Sequence, residues 1–173
     1  VESVQKNPPD ITLVEAQGAG EELCDTIQRM RQGGASYNPF IVIIVTAWEK
    51  STALINRVVS SGADDLILRP FSTAQLGARI ESHIERRKSF VITTDYVGPD
   101  RRKDVSRGAG AELFDPPNSL KMKAKDKLSS DAIARKLDSE LKTAREKLTS
   151  EKLRRDSFQV CILWRLIQEQ PIT

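Results

Sequence analysis

The feature that most constrains this chain is Phe40-Ile41-Val42-Ile43-Ile44-Val45, six apolar residues in a row, five of them β-branched. Alternation of apolar and polar positions would mark a strand with one wet face. An unbroken run of this kind marks a strand covered on both faces, which is the condition of a parallel sheet between layers of helices. Its neighbours fit that requirement. Ile11-Thr12-Leu13-Val14, after Pro8-Pro9-Asp10, predicts a short strand, and Leu66-Ile67-Leu68, closed by Arg69-Pro70, predicts another. Between them, Glu21–Gln32 places Leu23, Ile27 and Met30 at helical spacing and stops at Gly33-Gly34. Ser51 or Thr52 opens a second helix that runs through Ser60 to Gly62. Ser72 opens a third that reaches about Lys88, with Leu76, Ile80 and Ile84 on one face. Strand and helix alternating three times means right-handed crossovers and an α/β fold.

The remainder differs in kind. Residues 1–90 carry 10 Lys/Arg and 11 Asp/Glu, whereas residues 91–173 carry 17 and 13, so the net charge of +3 is a slightly acidic half joined to a basic one. Between 95 and 118, Gly98, Pro99, Gly108, Gly110, Pro116 and Pro117 stand among Arg101, Arg102, Lys103 and Arg107 and predict an irregular linker. From Ser129 to Glu169 there is no Pro or Gly. Ala134, Leu137, Leu141, Ala144 and Leu148 form a heptad seam, with Lys136, Glu140, Arg145, Glu146 and Lys147 on its flanks. The seam meets Glu151 and Arg155 before Phe158 and Ile162 resume it, which fits one helix of roughly 40 residues or two broken near Thr149-Ser150-Glu151. Residues 158–167 are apolar almost all round and call for burial, on the first half or against another chain. The organisation expected is a domain over 1–90, a linker over 91–120 and a helical region over 121–173.

Several classes of function fall away. No apolar run approaches the roughly 18–20 residues of a membrane span, and no signal peptide opens the chain. Cys24 and Cys161 have neither metal nor redox spacing, and His83 is the single histidine, which argues against a His-rich metal site or a Ser-His-Asp hydrolase. No cyclase, phosphodiesterase, kinase or methylesterase motif occurs in 91–173. The expectation is a cytoplasmic, non-enzymatic protein without a cofactor of its own. The opening Val1, with no initiator Met, suggests further sequence upstream.

In open parallel sheets, function gathers at the carboxyl ends of the strands. Glu15, Thr46 and Arg69 mark those ends here: an acid, a hydroxyl and a cation. Asn7-Pro8-Pro9-Asp10-Ile11-Thr12-Leu13-Val14-Glu15, Ile43-Ile44-Val45-Thr46-Ala47 and Gly62-Ala63-Asp64-Asp65-Leu66-Ile67-Leu68-Arg69-Pro70-Phe71 together resemble the receiver domain of bacterial two-component response regulators. The resemblance implies a CheY-like, flavodoxin-like parallel sheet, here partial, followed by a mostly α-helical C-terminal extension. It implies signalling in a phosphorelay, in which a histidine kinase passes a phosphoryl group to an Asp with the help of Mg²⁺.

Carried over by position, the phosphoacceptor is Glu15, the hydroxyl that takes a phosphoryl oxygen is Thr46, and the conserved-type Lys is Arg69, followed by Pro70 as the family's cis-proline. The departures matter. Glu sets its carboxylate one methylene too far out for in-line attack, and positioning is most of phosphoryl-transfer catalysis. Arg offers a planar fork where Lys offers a point charge. The acidic pair that would hold Mg²⁺ belongs to a segment expected ahead of Val1, so a metal enters only if that segment supplies it. The loop Ala16-Gln17-Gly18-Ala19-Gly20 is about three residues shorter than the family's and lacks its Met-Pro.

The expected protein is therefore a pseudo-receiver that signals through protein contacts. Glu15 paired with Arg69 either stands in for the phosphorylated state or marks a decayed site, with residual acceptance elsewhere, for instance at Asp10, as a third reading. Trp48 is either an exposed interface anchor or packed against the following helix. Expected partners are a histidine kinase or a downstream output protein, with a homodimer through the C-terminal helix. The competing classes are a DNA-binding transcriptional regulator using the clusters Arg101–Arg107 and Lys121–Lys127, and a phosphoaccepting receiver completed by upstream sequence. Interleaved acids (Asp100, Asp104, Asp126) and few aromatics weigh against nucleic acid.

Overall fold

The computed structural model describes residues 9–18, 20–33, 38–102, 113–126 and 129–168. Strands β1 (Ile11–Glu15), β2 (Val42–Ala47) and β3 (Asp65–Leu68) form a parallel sheet in that spatial order. Helix α1 (Glu21–Arg31) links β1 to β2, α2 (Thr52–Ser61) links β2 to β3, and α3 (Thr73–Glu85) follows β3. The central strand is buried at every position, as its unbroken apolar run requires. Its side chains divide by parity. Ile43, Val45 and Ala47 face Cys24 and Ile27 of α1 and Leu54 and Val58 of α2. Val42 and Ile44 join Ile67 under Leu76 and Ile80 of α3, with Leu120 of α4 (Ser119–Lys125) beside them. Each such side chain contributes roughly 1.5–3 kcal/mol on burial, so the two-sided strand is the main source of stability in this half. The fold is the flavodoxin-like receiver sheet expected of the sequence, with helices on both faces.

Local signals set the helix ends. Ser51 Oγ accepts from Leu54 N–H at 3.1 Å, and Ser72 and Gln75 form a reciprocal capping box, their bonds 3.1 and 2.8 Å long. Each cap is worth about 1 kcal/mol. Gly62 ends α2 at φ +90°, and a Cβ there would stand 2.5 Å from Val97 O, so conformation and space both demand glycine. Helix α3 stops at Glu85, three residues short of the expected Lys88. Asn118 Nδ2 donates to His83 O at 2.9 Å and Arg87 turns inward, so the next turn is spent on tertiary bonds.

The stretch over 95–118, expected to be irregular, carries structure: β5 (Val97–Pro99) and β6 (Leu113–Phe114) pair there with β4 (Phe90–Ile92), where Phe90–Thr93 reads as a short extended piece, in a small antiparallel sheet of order β5-β4-β6. Phe40 belongs to this second core rather than to β2. It meets Phe90 and Phe114 at centroid distances of 6.1 and 5.6 Å, which explains why β2 begins two residues after the apolar run does. Residues 103–112, which hold Lys103, Arg107, Gly108 and Gly110, lie outside the described residues.

Helix α5 (Ser130–Gln168) is one continuous helix of 39 residues, without a break near Thr149. Leu141, Ala144 and Leu148 cover the Phe40–Phe90–Phe114 cluster as the seam requires, but Ile133 is buried where Ala134 was expected to be. Lys152 Nζ then donates to Gln32 O and Gln159 Nε2 to Thr94 Oγ1, each at 3.2 Å. Beyond them Val160, Leu163, Trp164, Leu166 and Ile167 are exposed, so the burial that this apolar piece calls for is not met within the described residues. No described helix is long and apolar enough to cross a membrane.

Candidate functional site

Parallel pairing brings the carboxyl ends of β1, β2 and β3 to one edge, with Glu15 opposite Thr46 and Ala47 opposite Leu68. The expected residues converge there. Arg69 Nη2 lies 3.6 Å from Glu15 Oε2, and Arg69 Nε donates to Thr46 Oγ1 at 3.5 Å. Thr46 is buried and its hydroxyl donates to Val14 O at 3.4 Å. The Arg69 N–H donates to Ala47 O at 2.7 Å, and the Arg69–Pro70 peptide is cis.

Trp48 completes the group. It is 64% exposed, yet its indole N–H donates to Glu15 Oε1 at 2.7 Å and its ring lies 5.5 Å from the Arg69 guanidinium. Phe71 flanks the same guanidinium at 5.5 Å. Of the two placements open for Trp48, the exposed one is found, tied to the site and not to α2. Both carboxylate oxygens of Glu15 are thus engaged, one by an indole and one by a cation. The ion pair is about one-third exposed on each side and worth roughly 0.2–1 kcal/mol, and each cation–π contact adds about 0.5–1 kcal/mol.

This donor set does not fit a Mg²⁺ ion held by clustered carboxylates. Glu15 faces a guanidinium, and no group of three His, Cys, Asp or Glu converges among the described residues. Asp10, Asp64 and Asp65 all lie at the amino ends of their strands, across the sheet from Thr46. Asp10, the other residue considered for phosphoacceptance, is 2.7 Å from Lys123 Nζ.

At the amino edge stands a cluster that sequence reasoning missed. Arg31, fully buried at the end of α1, donates to Gly62 O (2.9 Å), Pro39 O (2.6 Å), Ile41 O (2.7 Å) and Asp64 Oδ2 (2.6 Å). Asp64 Oδ2 also accepts from the Ile43 N–H at 2.8 Å, and Arg87 Nη2 lies 3.6 Å from Asp64 Oδ1. Arg87 reaches the carbonyls of Phe40 and Pro117. Burial pulls the Arg31 guanidinium below its ordinary pKa against the pull of Asp64, and brings Arg87 down to about 10. The one available signal was Asp64 in the Gly-Ala-Asp-Asp segment. Nothing in the helical pattern of 21–32 separates Arg31 from a solvated last-turn cation.

The segment Tyr96-Val97-Gly98-Pro99-Asp100-Arg101-Arg102 docks on the same place. A Cβ on Gly98 would lie 2.8 Å from Gly62 Cα, Arg101 donates to Ala63 O, and Tyr96 donates to Pro99 O at 2.9 Å. The basic clusters are largely occupied where described: Arg102 pairs with Asp100, Lys123 with Asp10 and Lys125 with Glu85. Residues 103–107 and Lys127 lie outside the described residues.

No protein-family model matches the chain. It is 29% identical over 91 residues to the phosphate regulon transcriptional regulatory protein PhoB of Rhizobium meliloti, an alignment covering 53% of this chain and 39% of that protein. It is likewise 29% identical over 93 residues to the two-component response regulator PhoP of Pseudomonas aeruginosa, covering 52% and 38%. The chain spans about two fifths of the length of the curated relatives it matches. The β1–β2–β3 sheet has the flavodoxin-like receiver arrangement, and over this part the chain is similar to the two response regulators.

Proposed function

We propose that the protein is a pseudo-receiver of two-component signalling, working through protein–protein contacts and not through a phosphorylated aspartate. The observation that carries this reading is the state of Glu15: its carboxylate sits at the acceptor position but is bonded to Trp48 at 2.7 Å and faces Arg69 at 3.6 Å. A carboxylate held by an indole and a guanidinium is neither free for in-line attack nor available to a metal. The same contacts fix Trp48 and Arg69 on the outer surface, and Trp and Arg are among the residue types most enriched at binding hot spots. A histidine kinase or an output protein fits that face. The apolar end of α5 supports self-association through the helix.

Incubation with acetyl phosphate and Mg²⁺, followed by intact-mass measurement, tests the reading. No stable phosphoryl adduct is expected. A stoichiometric adduct that maps to Glu15 would overturn it.

A further inference from the structure

The amino edge of the sheet carries more positive charge than its carboxylates balance. Arg31 and Arg87, both buried, share the one carboxylate of Asp64. The Nε atoms of Arg87 and Arg101 are buried without a hydrogen-bond partner. Next to them, between the end of α3 and β5, lies a recess of about 150 Å³ lined by Asp65, Ser82, His83, Arg86, Lys88 and Arg101 among others.

Its carboxylates are already committed. Asp64 serves Arg31, Arg87 and the Ile43 N–H; Asp65 serves the Leu66 N–H, Arg79 at 3.4 Å and His83 at 3.8 Å. Cations beside a helix C-terminus ordinarily answer its free carbonyls. Here the carbonyls of His83 and Ile84 accept from Asn118, and Ser82 O accepts from the Arg86 N–H. Arg86, Lys88 and Arg101 therefore carry charge that no ion pair to a described carboxylate answers, Arg101 keeping only its bond to Ala63 O and its contact with Tyr96.

We propose that this recess is a binding site for a compact tetrahedral oxyanion of the phosphate type. Three convergent cations supply charge-assisted donors, and Arg is the side chain best shaped to hold such an oxyanion. The volume selects the ligand class. It admits an oxyanion with a few waters, at about 30 Å³ per water, but falls short of the roughly 300 Å³ that buries a drug-sized molecule. The ligand is then inorganic phosphate or sulfate, or the terminal phosphate of an ester whose remainder stays outside. Occupancy would tie α3 to β5 at the junction of the two sheets, across the sheet from Glu15 and Arg69.

The test is calorimetric titration of the full chain with inorganic phosphate, sulfate and glycerol phosphate, with chloride holding ionic strength constant, alongside amide chemical shifts. Saturable one-to-one binding is expected, with the largest shifts at residues 82–88 and 99–101. The exposed double variant Arg86→Gln/Lys88→Gln should keep the wild-type circular dichroism spectrum and bind at least tenfold more weakly. Lys142→Gln, on the far helix, should bind as wild type. Tighter binding of free phosphate assigns a closed site, and tighter binding of the ester an open one; either supports the proposal. Absence of saturation into tens of millimolar, an unchanged affinity in the double variant, or shifts centred on Thr46 and Arg69 would overturn it.

Discussion

Replacing Asp64 by Ala tests what holds the amino edge of the parallel sheet together. The carboxylate is almost fully buried and accepts from Arg31 at 2.6 Å and from the Ile43 N–H at 2.8 Å, with Arg87 at 3.6 Å. Its removal leaves two buried guanidinium groups with no counter-charge and one central-strand N–H without an acceptor. Breaking a buried pair by deleting one partner costs about 3–5 kcal/mol, against a total stability of roughly 5–15 kcal/mol for a domain. Asp64→Asn keeps an acceptor but loses the charge, so its cost should be smaller, about 1.5–3 kcal/mol. Equilibrium unfolding in urea, followed by far-UV circular dichroism, gives both numbers as shifts in midpoint at constant slope. The pair Arg31→Met with Asp64→Leu should recover part of the loss, because it removes one of the two stranded guanidinium groups and leaves only Arg87 without its counter-charge. An Asp64→Ala protein within about 1 kcal/mol of wild type would refute this account, because exposed pairs are worth that little.

Other substitutions probe neighbouring steps. Gly98→Val sets a branched side chain 2.8 Å from Gly62 Cα; a cost above about 2 kcal/mol is expected in the same urea assay. Leu148→Ala removes a buried contact between α5 and the Phe40–Phe90–Phe114 cluster and should cost about 2–4 kcal/mol, with earlier protease cleavage of α5. Burial alone would raise the Asp65 carboxyl, but His83 at 3.8 Å, the hydrogen bond from the Leu66 N–H and the Arg79 charge outweigh it and hold the group below its ordinary value. Its stabilising contribution is thus present above the unfolded carboxyl pKa of about 3.9 and is lost as pH falls through the lower folded value. Asp65→Asn should accordingly flatten the stability profile in that acid window and leave its shape near neutrality unaltered, as read from thermal midpoints across pH.

Much of this structure was legible in the sequence, for reasons that can be located. The parallel sheet followed from one run that could not be amphipathic, and Ser51, Ser72 and Gly62 set helix ends by local chemistry that needs no tertiary context. Glu15, Thr46 and Arg69 were legible together because parallel strands place their carboxyl ends side by side whatever else the chain does. What escaped was non-local. Phe40 reads as part of β2 until Phe90 and Phe114, both more than 45 residues away, claim it. Strands of two and three residues such as β5 and β6 carry no periodicity to detect. Arg31 reads as a solvated cation because its partners lie in other elements, at Pro39, Ile41, Gly62 and Asp64. The choice of Ala134 over Ile133 shows the same limit: a heptad gives the stripe's spacing but not its rotation against a surface whose existence was not foreseen.

The two edges of the sheet are built for different tasks, and the difference follows from burial. At the amino edge, charges are desolvated and bonded to backbone carbonyls of several elements. Moving one of them exposes others to an unpaired state worth several kcal/mol, so that edge behaves as a rigid joint. At the carboxyl edge, Glu15, Trp48 and Arg69 are partly or largely solvent-exposed, and each contact is worth about 1 kcal/mol or less. A partner that offers Trp48 and Arg69 comparable contacts can displace Glu15 at little cost, whereas no surface partner can rearrange Asp64. On the proposed reading, response to a partner therefore belongs to the carboxyl edge, with the amino edge as the fixed frame against which it occurs.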